Sequence, residues 1–151
     1  DTKRLPEPRN FPGDENMNTP TSDTTIDKVL ESLKFTSDGL IPAVSQQHDS
    51  GEILMMAWMN KDSVAETLRT GRVCYWSRSR QKLWRKGESS GQVQMLREFR
   101  WDCDADTLLL QVDQQGVACH TGRHNCFFYA VRDGEVQEIA EVEIDPNELY
   151  G

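Results

Sequence analysis

The chain has 151 residues, of which 36% are hydrophobic, enough for one core and cramped for two. A formal net charge of -8 creates a field that repels nucleic acid and anionic lipid, which argues against a protein built to coat either. No run approaches the roughly 20 apolar residues of a spanning helix, and no basic-then-apolar export pattern opens the chain. The expectation is therefore a cytoplasmic protein without a membrane partner, whose four cysteines stay reduced.

In chain order, residues 1–24 contain Pro6, Pro8, Pro12 and Pro20 among polar residues and read as a loosely attached arm. A single domain is expected over 25–137, followed by an acidic tail over 138–151 whose carboxylates read as a solvated edge. Ile26, Val29, Leu30 and Leu33 recur at helical spacing. Leu40 to Gln46 and Glu52 to Met59 read as a β-hairpin across Asp49-Ser50-Gly51. Asn60 caps a helix through Leu68 that stops at Gly71. Val73 to Trp76 is a strand that places Cys74 in the core, and Ser77 to Gly91 reads as a basic, Ser/Gly-rich loop with at most one helical turn. From Val93, alternation puts Val93, Met95, Phe99 and Trp101 on one face, broken only by Arg97. Strands over Thr107 to Val112 and Phe127 to Val131 follow, the second ending at Asp133-Gly134. The pattern predicts an α+β fold around a largely antiparallel sheet with a few flanking helices.

Two ligand chemistries lie close together. Asp102, Asp104 and Asp106 offer hard oxygens that suit magnesium, manganese or calcium, whereas Cys103, Cys119 and Cys126 offer thiolates that suit zinc. On a flat strand, successive aspartates stand about 6.6 Å apart, so they can share an ion only if the chain bends sharply or turns to loop at Ala105. Three thiolates with a fourth corner open is the catalytic rather than the closed structural zinc arrangement. Beside Cys119, His120 is a candidate general base. Ser77, Arg78, Ser79 and Arg80, with Lys86, Glu88 and Ser90, offer guanidinium forks, hydroxyls and backbone amides for phosphate, and Trp84 a face for a base.

These residues stand in blocks that resemble phosphoribosyl-AMP cyclohydrolases of histidine biosynthesis. The blocks are Leu54-Met55-Met56-Ala57-Trp58-Met59-Asn60, Tyr75-Trp76-Ser77-Arg78-Ser79-Arg80, Leu83 to Gly91, Asp102 to Asp106, and Ala118 to Gly122 with Cys126-Phe127. The resemblance covers residues 35 to 131. It implies a barrel-like, intertwined homodimer with a strongly bent sheet. It also implies one zinc per subunit on Cys103, Cys119 and Cys126, with thiolates from both subunits, and magnesium on Asp102, Asp104 and Asp106. The implied activity is hydrolysis of the N1–C6 bond of a nucleotide substrate, 1-(5-phosphoribosyl)-AMP. His124 and Asn125 depart from the family's usual residues before the last cysteine, so His124 inherits no role there. Two other readings stay open, a nucleotide deaminase and a zinc-stabilised nucleic-acid module, the second disfavoured by net charge.

Overall fold

In the computed structural model, residues 21–150 are described; residues 1–20 of the expected arm lie outside that range, as does Gly151. Folded structure starts with α1 (Asp23–Ser32), whose N-cap Ser22 accepts a hydrogen bond from the Thr25 amide at 3.2 Å. The helix buries Ile26 and Val29. Next come β1 (Ile41–Gln47) and β2 (Ile53–Met59), the predicted hairpin. Asn60 and Ser63 form a reciprocal capping box at the start of α2 (Lys61–Thr70), and Gly71 ends the helix in the left-handed conformation.

The segment expected as a loop from Ser77 to Gly91 contains a strand. β3 (Cys74–Ser77) pairs antiparallel with β4 (Lys82–Arg85) in the register Cys74↔Arg85 and Trp76↔Leu83. Its turn is held by Arg80 and Gln81 amides donating to the Ser77 hydroxyl and carbonyl. β4 was hidden because Lys82 and Arg85 bracket its only two apolar residues, leaving four residues without a period to read.

β5 (Gln94–Trp101) pairs antiparallel with β6 (Leu108–Gln114), which runs parallel to β1. A bulge between Leu96 and Glu98 absorbs Arg97 and resets the alternation. Gln94, Leu96, Phe99 and Trp101 therefore oppose the buried Gln114, Val112, Leu110 and Leu108, rather than the expected set Val93, Met95, Phe99 and Trp101 sharing a face. The last expected strand is shifted. β7 (Tyr129–Arg132) pairs only with β8 (Glu135–Glu138), a separate ribbon, and a short α3 (Pro146–Tyr150) follows.

The six-stranded order β4-β3-β2-β1-β6-β5 is antiparallel except at β1–β6, and the sheet curls into a half-barrel. Its two sides are drawn together where the Val73 amide donates to Gln94 O (3.0 Å), the Leu96 amide to Gly71 O (2.7 Å), and Arg72 bridges to Met95. Ile41, Ala43, Leu54, Met59, Val64, Val73, Tyr75, Leu108 and Leu110, all fully buried, fill the inside, and Cys74 is buried as expected. Among the described residues no helix is long and apolar enough to cross a membrane.

The core also holds a polar network. The Tyr75 hydroxyl donates to Gln94 Oε1 (2.8 Å), and Gln94 Nε2 donates to Ser45 Oγ (3.2 Å) and Gln114 Oε1 (2.9 Å). Gln94→Leu leaves the Tyr75 hydroxyl and Gln114 without these partners and is expected to lower stability by about 3 kcal/mol, read as a reduced midpoint in urea unfolding.

Candidate functional site

Beyond Trp101 the β5 strand stops and the chain turns back through Asp102–Asp106 into β6. Ala105 sits at φ 64, the left-handed conformation that supplies the sharp bend the sequence required there. The Asp106 and Thr107 amides donate to Asp102 Oδ1 at 3.1 and 3.3 Å, and the Asp102 amide donates to Thr107 O at 3.1 Å. Ligand oxygens of Asp102, Asp104 and Asp106 come within 4.8 Å of one another, all three side chains exposed. They titrate apart. A hydrogen bond with Asp106 raises Asp104 from its ordinary value, whereas Asp102 is lowered, desolvation being outweighed by backbone and side-chain hydrogen bonds. Three carboxylates gathered in one turn are a donor set that fits a hard divalent cation.

Cys119 and Cys126 belong to a second loop, between β6 and β7. The Gly122 amide donates to Cys119 O (2.9 Å), which puts His120 at the exposed apex of a tight turn. The Ala118 amide donates to His124 O and the Cys126 amide to Leu54 O on β2, so both thiols are brought in over the barrel. Cys119 is buried and its sulfur lies 3.0 Å from Thr121 Oγ1; Cys126 is half-buried. Burial and the adjacent Cys119 push the Cys126 thiol up to about 12. Cys103 is exposed in the aspartate turn and does not join them: among the described residues the three thiols form no group within ligand reach. Two close sulfurs with weak hydrogen-bonding demands fit a soft cation that has further ligands elsewhere.

Three features missed in sequence hold this loop. Glu52, just before β2, accepts from His124 Nδ1 (2.8 Å) and Asn125 Nδ2 (2.6 Å), and its carboxyl is lowered because these bonds outweigh partial burial. The segment after β8 straps the turn, with Glu143 and Ile144 amides donating to Gly122 O at 2.8 and 3.1 Å. Arg123 donates to Ala140 O (3.0 Å) and Glu138 Oε1 (3.1 Å) with its guanidinium 4.0 Å from the Phe128 ring centroid. Residues 138–145, expected as a solvated tail, are mostly exposed yet tied to the cysteine loop.

The basic residues divide by position. Arg78 stacks 4.9 Å from the Trp58 ring centroid and, with Trp76, Gln81, Asn60 and Lys61, lines a cavity of about 630 Å³ beside the β3–β4 turn. Arg80 and Ser79 are exposed on the same turn, where the Ser77 and Ser79 hydroxyls lie 3.4 Å apart. Arg85 is engaged by Glu66 of α2 through two bonds of 2.6 and 2.9 Å. The Glu88 carboxylate and the Ser90 hydroxyl accept from the Arg85 and Gln92 amides. Trp84 packs on the core, 5.5 Å from Tyr75. Lys86, expected on an open loop, is only 4% exposed; burial lowers its ammonium, and the neighbouring Cys126 and Cys119 oppose that shift.

A family profile described as "Phosphoribosyl-AMP cyclohydrolase" matches residues 55–128. The chain is similar to the phosphoribosyl-AMP cyclohydrolase of Magnetococcus marinus, 66% identical over 122 residues that cover 81% of this chain and 95% of the relative. It is likewise similar to those of Rhodospirillum centenum, at 62% with 83% and 95% covered, and Paramagnetospirillum magneticum, at 65% with 81% and 92% covered.

Gly122 has φ 88, and a Cβ there would lie 1.8 Å from Ile144 O. Gly122→Ala is therefore expected to release the strap, with proteolysis within residues 139–148 and alkylation of Cys119 each about tenfold faster. Limited digestion with mass spectrometry reads both.

Proposed function

The chain belongs to the phosphoribosyl-AMP cyclohydrolase family, and we propose that it is a metal-dependent hydrolase opening the N1–C6 bond of the adenine ring in 1-(5-phosphoribosyl)-AMP during histidine biosynthesis. The observation that carries this reading is the pair of converging thiols, Cys119 and Cys126, in a loop anchored on three sides with His120 exposed at its apex. A purine substituted at N1 is electron-poor, so C6 accepts water. The C6–N1 bond then breaks, N1 takes a proton, and the exocyclic amine stays as the carboxamide nitrogen of the formimino product.

Cys119 and Cys126 would hold zinc together with Cys103 supplied by a second copy, and Asp102, Asp104 and Asp106 would hold magnesium. Zinc held there would supply a water acidified toward neutral pH. His120 at the loop apex would take a proton from the attacking water and return one to the departing nitrogen. Arg78 and Arg80, with Ser77 and Ser79 on the same turn, face the phosphate-bearing end of the nucleotide, and the cavity at Trp76 and Arg78 offers volume for it. Glu88, Ser90 and Trp84 act behind them by fixing the turn and the β4 strand.

Two observations support a homodimer. One copy brings only two of the three thiols together. The β7–β8 ribbon leaves Tyr129, Val131 and Val136 65%, 73% and 77% exposed, and a two-stranded ribbon with such faces is marginal unless something covers it. All four cysteines are free thiols, the state a cytoplasmic location maintains.

Purified protein is expected to convert the N1-substituted nucleotide to the ring-opened carboxamide without ammonia, and ammonia release would mean deamination instead. Cys119→Ser and Cys103→Ser should each lose zinc and turnover together, at a solution mass twice 17.3 kDa for the parent protein. In contrast, His120→Asn should keep zinc while turnover falls about 10²–10⁴-fold.

A further inference from the structure

Lys86 is the one charged residue that the fold fully buries among those described. Its backbone extends the β4 ladder by one step, the amide donating to Val73 O at 3.1 Å. Gly87 follows at φ 86, packed so tightly that a Cβ would lie 2.5 Å from the Val93 amide nitrogen, which presses the turn onto the barrel and leaves the Lys86 side chain inside. There its Nζ lies 5.9 Å from the Trp84 ring centroid. No carboxylate pairs with it among the described residues, and the ionisable groups that act on its charge are Cys126 and Cys119.

A buried ammonium without a counter-charge is unfavourable, so a fold that keeps one has a negative charge for it to meet. Neutral thiols supply none. Two thiolates of this chain and a third on a divalent cation carry a net charge of minus one, and a single buried lysine cancels it. A phosphate clamp, by contrast, needs its cation at a surface the phosphate can reach.

We propose that Lys86 is the counter-cation of the thiolate centre, a positioning residue that stabilises Cys119 and Cys126 as metal ligands rather than a contact for substrate phosphate. The inference rests on the reading of Cys119 and Cys126 as zinc ligands. It deepens that reading by assigning the residue that balances their charge.

The test uses the full chain as purified, with Lys86→Met, Lys86→Gln and Lys86→Arg beside the parent. Zinc affinity is measured by chelator competition, and cobalt(II) replaces zinc to report the thiolate-to-metal charge-transfer band. Lys86→Met and Lys86→Gln are expected to weaken zinc 10–100-fold and move the band to lower energy, because thiolates without the cation are better electron donors. Lys86→Arg, which keeps the charge, should restore most of both. Wild-type zinc affinity with an unmoved band in both neutral variants overturns the proposal. So does a raised KM with metal binding intact, the signature of a phosphate contact, and so does equal loss in Lys86→Arg with the band unmoved, the signature of packing. If the parent itself shows no thiolate band, the zinc reading fails and this inference with it, whereas a parent band unshifted in the neutral variants removes only Lys86.

Discussion

Gln94 is the residue on which the two halves of the molecule depend. Its carbonyl accepts from Val73 and so draws the far side of the curled sheet inward, while its side chain ties Tyr75 on β3, Ser45 on β1 and Gln114 on β6 into one buried network. Amides are suited to this because each side chain both donates and accepts, so one residue can satisfy polar groups on three strands. The network continues outward: Gln114 Nε2 donates to Val117 O (3.3 Å), and the Val117 amide donates to Gln92 Oε1 (2.9 Å). The chain entering the cysteine loop is thereby fastened to the same buried amides that close the sheet. Precision at the thiols is thus set from the core as well as by the surface strap.

The two acidic and sulfur centres occupy contrasting environments, and each matches its chemistry. Asp102, Asp104 and Asp106 face water, where a hard ion can keep part of its hydration shell. Cys119 is buried and Cys126 half-buried, and Lys86 is buried too, in surroundings where charge interactions are less screened. An overall charge of -8 does not conflict with a local cation, because burial sets its influence at short range and the surface field acts at long range.

Much of this arrangement was legible from residue pattern because the deciding physics is local. Asn60 and Gly71 bound α2 through caps that need only neighbouring residues, and the spacing of three alternate aspartates could bring them to one ion only through a bend, which Ala105 provides. The illegible parts depend on distant partners. β4 is a strand only because β3 lies beside it, and Arg97 shifts the facing of β5 only through a bulge against β6. Lys86 looked like one more member of a basic loop. Its burial follows from Val73 and Val93, residues that nothing in the Trp84-Arg85-Lys86-Gly87 sequence reveals.

The parallel pairing of β1 with β6 joins residues some 65 positions apart, as Gln46 and Gln111 show, in a sheet whose other contacts are mostly between neighbours. Closing so long a chain segment costs entropy before any contact compensates, so this pairing carries the largest closure cost in the sheet. The cysteine loop hangs directly from the end of β6. Cys119 and Cys126 therefore rest on a pairing between distant parts of the chain rather than on contacts within their own loop alone.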